Sequence, residues 1–195
     1  MNIAIIKYNA GNIQSVLYAL ERIGYEATVT DNFEEINKAD KVIFPGVGEA
    51  SSAMKYLRER NLDAVIKNLT QPVLGICLGM QLMCNYSEEG DTQCMNIFEE
   101  DVKKFDAGNL KIPQIGWNNI YDLQSPLFKD VEENSYIYSV HSYYADLGKQ
   151  TICKTNYGKE YSTGLHKNNF YGVQFHPEKS AGTGEQILRN FITNI

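Results

Sequence analysis

Val73-Leu74-Gly75-Ile76-Cys77-Leu78-Gly79-Met80-Gln81-Leu82 is the stretch that decides the fold. An apolar run reads as a buried strand, Gly-Ile-Cys-Leu-Gly follows, and a second apolar run reads as the start of a helix. This is a Gly-x-nucleophile-x-Gly elbow with cysteine in the nucleophile position. A nucleophile on a sharp strand-to-helix turn sits in a strained backbone conformation. Side chains two residues away on either side would crowd it, and Gly75 and Gly79 remove that crowding. The turn also puts Cys77 at a helix N-terminus, where unpaired N–H groups and the positive dipole end favour an anionic sulfur. Taken alone, the decapeptide is equally compatible with a small thiol packed in a core.

Upstream, the chain alternates strand and helix. Asn2 to Tyr8, Glu26 to Thr30, Lys41 to Phe44 and Pro72 to Ile76 read as strands. Between them, Ile13, Val16, Leu17, Leu20 and Ile23 form one helical stripe, which Asn12 can cap and Gly24 stops. Phe33 to Lys38 is a brief helical turn, and Ser51 or Ser52 caps a helix carrying Met54 and Leu57, extended or followed by another through Leu62, Val65 and Ile66. Alternation with short links implies a mostly parallel sheet wrapped by helices, with ligands gathering at the carboxyl ends of its strands. Pro45-Gly46-Val47-Gly48 and Cys77 both fall at such ends.

The second half reads as short strands at Asp101 to Phe105, Asn119 to Leu123, Tyr136 to Val140, Thr151 to Thr155 and Phe170 to Phe175. A closing helix carries Ile187, Leu188, Phe191 and Ile192. These strands are expected to extend the first sheet as a mixed or antiparallel portion. No linker or repeat divides the 195 residues, so a single domain over 1–195 is expected.

Composition narrows the function classes. A net charge of −6 without a dense Lys/Arg cluster argues against nucleic-acid binding. The first apolar run is four residues, far too short for a membrane span, so a cytoplasmic setting is expected. Cys77, Cys84, Cys94 and Cys153 form no CxxC pair, and His141, His166 and His176 share no ligand spacing. Reduced thiols and no metal or other cofactor are expected.

Tyr171-Gly172-Val173-Gln174-Phe175-His176-Pro177-Glu178 is the second informative stretch. Pro177 biases His176 toward extended backbone, in which residues two apart point to one side, about 6.6 Å apart along the strand. Glu178 is thereby placed to orient His176 as a base. Cysteine, histidine and glutamate together make a complete acyl-transfer set.

With those residues the chain resembles the class I (triad) glutamine amidotransferases. Within them it resembles the glutaminase subunits of imidazole glycerol phosphate synthase. That narrower likeness is carried by Gly11 to Val16, Pro45 to Gly48, Gly75 to Leu82, Ser87-Glu88-Glu89-Gly90, Gly116-Trp117-Asn118, Val140 to Tyr143 and Gln174 to Ser180. The resemblance implies a flavodoxin-like α/β fold and hydrolysis of L-glutamine to L-glutamate and ammonia through a Cys77 thioester, with His176 and Glu178 completing the triad. It implies an oxyanion hole from Leu78 and from Gly46, Val47 and Gly48, and glutamine contacts from Gln81, His141, Ser142 and Tyr143. It further implies a separate (β/α)₈-barrel cyclase subunit as partner, touched by Asn12, Trp117 and Lys179. Two departures stand out: Gln114 where the family often has histidine, and Cys94-Met95 where a glycine-leucine pair is common. Other readings are a glutaminase serving a different acceptor, such as a surface-sugar pathway, and a regulatory module, which would be expected to lack a triad member.

Overall fold

The architecture follows from strands that are apolar on both faces. In the computed structural model, which describes residues 1–9, 11–106, 108 and 110–195, the first half runs β1 (Ile3–Ile6), α1 (Ile13–Arg22), β2 (Thr28–Thr30), α2 (Phe33–Lys38), β3 (Lys41–Gly46), α3 (Ala50–Glu59), α4 (Leu62–Lys67), β4 (Val73–Cys77) and α5 (Leu78–Met83). The second half continues β5 (Tyr86–Ser87), β6 (Thr92–Gln93), β7 (Asp101–Lys104), β8 (Gln114–Asn119), β9 (Tyr136–His141), β10 (Tyr143–Ala145), β11 (Thr151–Asn156), β12 (Glu160–Lys167), β13 (Phe170–Val173) and α6 (Ala181–Thr193).

The main sheet has the order β2-β1-β3-β4-β13-β12-β10-β7-β5-β6, with β11 on β12. From β2 to β13 every pairing is parallel, and β12, β10 and β11 are antiparallel to their neighbours in it. The order 2-1-3-4 is that of doubly wound flavodoxin-like sheets, and the fifth parallel place is filled by β13 from the C-terminal half. Side-chain alternation explains the two-sided burial. Ala4, Ile6, Val42 and Phe44 face a core with Met54, Leu57 and Met80. Ile3, Ile5 and Ile43 face another with Leu20, Ile187 and Phe191.

Four sequence expectations need correction. The segment around Asn119 to Leu123 is not a strand of the sheet: the strand is Gln114–Asn119, and Tyr121 makes a single bridge to Lys154. Together with Tyr136–His141 it forms a separate two-stranded ribbon rather than a continuation of the sheet. The eight-residue β12 was not expected, because Ser162, Thr163 and Gly164 break its apolar pattern. Ser162 is nonetheless buried, its hydroxyl donating to the Asp146 carbonyl at 2.7 Å and meeting the Thr151 hydroxyl at 2.7 Å. Finally, α3 is capped by Glu49, whose carboxylate accepts from Ser51 and Ser52 N–H at 3.1 and 2.8 Å, and not by either serine.

Candidate active site

Strand β4 ends at Cys77, whose backbone angles of φ 53° and ψ −110° lie outside the regions non-glycine residues prefer. Such conformations cost of order 1–3 kcal/mol and persist where the surroundings enforce them. Here the enforcement is close packing. A Cβ on Gly79 would overlap the Phe44 carbonyl oxygen of β3, and one on Gly75 would strike Met83 and the Met80 backbone nitrogen. The elbow therefore presses against its neighbouring strand, with α5 beginning directly after the sulfur.

Strand β13 runs parallel beside β4 and delivers His176 to the same sheet edge. The histidine is fixed through its backbone. Its N–H donates to the Tyr138 carbonyl at 2.9 Å, and its carbonyl accepts from the Ser180 hydroxyl at 2.7 Å. That hydroxyl in turn accepts from Tyr138 N–H at 2.9 Å. Glu178 does meet His176, with Nδ1 and Oε1 2.7 Å apart, but not by extended-chain alternation. Pro177–Lys179 is a turn of 3₁₀-helix that folds the carboxylate back. With Nδ1 engaged by Glu178, Nε2 is the nitrogen left for Cys77. Burial opposes the imidazolium, but the Cys77 sulfur, as charge and hydrogen-bond partner, and Glu178 outweigh it and push His176 up to about 10.

Two further contacts converge on the sulfur. The thiol donates to the Val140 carbonyl at 3.8 Å, and the Gln174 carboxamide donates to Sγ at 3.6 Å. Gln174 Oε1 accepts from Gln81 Nε2 at 2.8 Å, and the same nitrogen donates to the Tyr143 carbonyl at 3.0 Å. Gln81 is thus buried inside a polar bracket, in which its own Oε1 has no partner among the described residues.

Beside Cys77 lies a cavity of about 230 Å³. Val47, Gly48 and Leu78 form one part of its lining, Val140 to Tyr143 another, and Gln81 and Glu89 the rest of its polar wall. Gly48 has φ 124°, a conformation open to glycine. Gly46 sits under the cavity instead, against the Tyr8 hydroxyl and the start of α5. His141 is a wall whose polar atoms are spent elsewhere: Nδ1 on the Tyr143 carbonyl at 2.7 Å and Nε2 near the Tyr161 hydroxyl at 3.3 Å. Burial lowers it to about 4, with a smaller push from His176, so it is neutral.

Asn12, Trp117 and Lys179, expected together at a partner contact, differ in burial. Trp117 is 55% exposed on β8, edge-on to Tyr138 of β9 at 5.7 Å, on the face that also shows Ile115 and Tyr136. Lys179 is exposed in the turn after Glu178. Asn12 is half-buried, and its carboxamide donates to Glu178 Oε1. It occupies the N-cap position of α1 without capping it.

Residues 4–195 match the family described as Glutamine amidotransferase class-I. The chain belongs to that family. It is 54% identical to the "Imidazole glycerol phosphate synthase subunit HisH" of Bacteroides fragilis over 194 residues, 98% of this chain and 99% of that one. It is 46% identical to the subunit of the same name from Pasteurella multocida over 195 residues, covering 100% and 98%. Its fold is shared with the PurLQS structure from Thermotoga maritima, with a TM-score of 0.75 at 16% identity, covering 99% and 98% of the two chains.

For a class I amidotransferase, the residues that sequence reasoning passed over are Glu89 and Gln174. Glu89 places a carboxylate in the cavity wall. Burial raises its pKa, and an Ala50 N–H bonded at 2.8 Å partly offsets this. Its signal was an acidic pair, Glu88-Glu89, ahead of Gly90 and twelve residues past the nucleophile. Gln174 had none beyond its place before His176. Gln114, singled out as a departure from the family pattern, is buried, with Oε1 accepting from the Tyr161 hydroxyl at 3.1 Å. Cys94 and Met95 are likewise core residues. Among the described residues, no group of His, Cys, Asp or Glu is placed to hold a metal ion.

Proposed function

We propose that this chain is the glutaminase subunit of an imidazole glycerol phosphate synthase, supplying ammonia for histidine biosynthesis. The observation that carries the reading is full-length identity of 54% to a subunit of that name, combined with a Cys77, His176 and Glu178 set beside a cavity of about 230 Å³.

In this reading L-glutamine enters the cavity with its side-chain carbonyl carbon over Cys77. Glu89 accepts hydrogen bonds from the substrate ammonium, and Gln81 Oε1 and the Ser142–Tyr143 backbone complete the cradle. The His176 imidazolium already holds at Nε2 the proton drawn from the thiol when the sulfur attacks as its anion, then gives it to the departing ammonia. The tetrahedral oxyanion is held by Leu78 N–H at the start of α5 and by a peptide N–H of Gly46-Val47-Gly48. One such donor typically contributes roughly 10²–10³-fold in rate. Water activated by the same imidazole then cleaves the thioester to glutamate. Glu178 keeps Nδ1 protonated and the ring oriented throughout.

The ammonia is consumed by a (β/α)₈-barrel cyclase subunit, bound as a heterodimer on the face carrying Trp117, Tyr136 and Ile115. A large exposed aromatic flanked by apolar neighbours is the usual anchor of such a contact. Lys179 borders it with a positive charge. A reducing cytoplasmic setting fits four free cysteines. Glutamate release assayed with and without the cyclase, in the chain and in Cys77→Ala, tests the proposal. Activity should require Cys77 and rise on adding the cyclase. Turnover by Cys77→Ala would overturn it.

A further inference from the structure

We propose that Asn12 is a positioning residue for the His176–Glu178 pair. This rests on the reading of Cys77, His176 and Glu178 as the catalytic set. Asparagine is among the preferred N-cap residues, and a capping side chain typically contributes about 1 kcal/mol to helix stability. Asn12 stands at the N-cap of α1 and makes no side-chain cap bond. Its backbone is left-handed, at φ 77° and ψ 6°, a conformation asparagine tolerates better than most residues. The carboxamide is turned away from its own helix and donates to Glu178 Oε1, 166 residues along the chain. Its Nδ2 also lies 3.4 Å from His176 Nδ1.

Two donors therefore converge on one carboxylate oxygen, the imidazole Nδ1–H and the Asn12 N–H. The other oxygen, Oε2, is buried with no partner among the described residues. Among the described residues, removing Asn12 leaves His176 as the only hydrogen-bond partner of that buried carboxylate, which loosens the carboxylate and the ring it orients. No other described residue bonds the Glu178 carboxylate. Helix α1 packs on the 3₁₀ turn that carries Glu178, which gives the contact a rigid base.

Asn12→Asp separates this role from capping. Aspartate caps a helix as well as asparagine, keeps the side-chain shape, and has no N–H to donate. The unsubstituted chain, Asn12→Asp and Asn12→Ala would be inactivated with a diazoketone analogue of glutamine, with the adduct mapped. In parallel, the ¹⁵N shifts of His176 Nδ1 and Nε2 would be recorded on uniformly labelled protein. The maximal inactivation rate should fall at least about tenfold in both variants, with half-saturation unchanged within about twofold. The His176 shifts should move toward a mixture of tautomers. Asn12→Asp inactivated at Cys77 at the wild-type rate, or unaltered His176 shifts, overturns the positioning role. An adduct on a residue other than Cys77 in the unsubstituted chain overturns the catalytic reading beneath it instead.

Discussion

Gln174 donates its side-chain N–H to the Cys77 sulfur across 3.6 Å, from a residue 97 positions away in the chain. A donor to sulfur favours the anion over the thiol. Gln174→Met, similar in shape and without an N–H, should lower the rate of Cys77 alkylation by iodoacetamide at neutral pH by about threefold to tenfold. The substitution also strips Gln81 of one acceptor, and an unsatisfied buried amide costs about 1–3 kcal/mol. A urea titration beside the alkylation assay reads both effects.

The pairing of His176 with Glu178 and Cys77 should make stability depend on pH in a set direction. His176 is raised from 6.5 to about 10, so its contribution is fully present below 6.5 and is lost as pH rises through about 10. The titratable groups that bear on it are Cys77, Glu178 and the neighbouring His141. Glu178→Gln removes one of the two stabilising partners. Urea midpoints between pH 6 and 10 should therefore fall less steeply in the variant, and its maximal glutaminase rate should drop by at least about 10². An unchanged slope would mean that Glu178 does not hold the proton on His176.

These two relationships differ in how far the sequence announced them. Cys77 was legible because its elbow is local: strand, glycines and helix are contiguous, and the crowding they relieve lies within a few residues. His176 and Glu178 were legible as a pair for the same reason, although only His176 has the extended backbone expected and Glu178 lies on a 3₁₀ turn. Gln174 and Asn12 were not, because their partners are chosen by strand order and not by spacing. Nothing in Gly11-Asn12-Ile13 tells a capping asparagine from one turned into the site. The parallel half of the sheet was readable from continuous apolar runs. The longest strand, Glu160–Lys167, was missed because buried hydroxyls satisfied across the sheet look polar in sequence.

Gly46 and Tyr8 offer a test of packing beneath the cavity. The Tyr8 hydroxyl is buried without a partner among the described residues and sits where a Cβ on Gly46 would go. Tyr8→Phe should stabilise the chain by about 1 kcal/mol, since an unpaired buried hydroxyl is removed. Gly46→Ala should destabilise it by about 1–3 kcal/mol through overpacking. The two should not add: Gly46→Ala in the Tyr8→Phe background should cost measurably less, by about 0.5 kcal/mol or more. Leu78 Cβ at 3.1 Å and Gly79 N at 3.3 Å from the added carbon keep the rescue incomplete. Denaturant titrations of the four proteins close the cycle, and strict additivity would show that the hydroxyl is not the obstacle.

The ribbon of β8 and β9 links the exposed aromatic face to the site. Trp117 is paired with Tyr138, whose backbone holds His176 N–H and the Ser180 hydroxyl, and Val140 two residues on receives the Cys77 thiol. One strand thus touches the base, the nucleophile and the proposed docking surface. Trp117→Ala removes an exposed ring and should leave the chain's own stability within about 0.5 kcal/mol. It should weaken binding to the cyclase by about 2 kcal/mol or more, as loss of an aromatic anchor does. Titration calorimetry reads the affinity directly. Glutaminase activity at saturating cyclase reads something further. Recovery to the full rate would mean that Trp117 only binds, whereas a reduced plateau would mean that docking on the ribbon also sets His176 and Cys77.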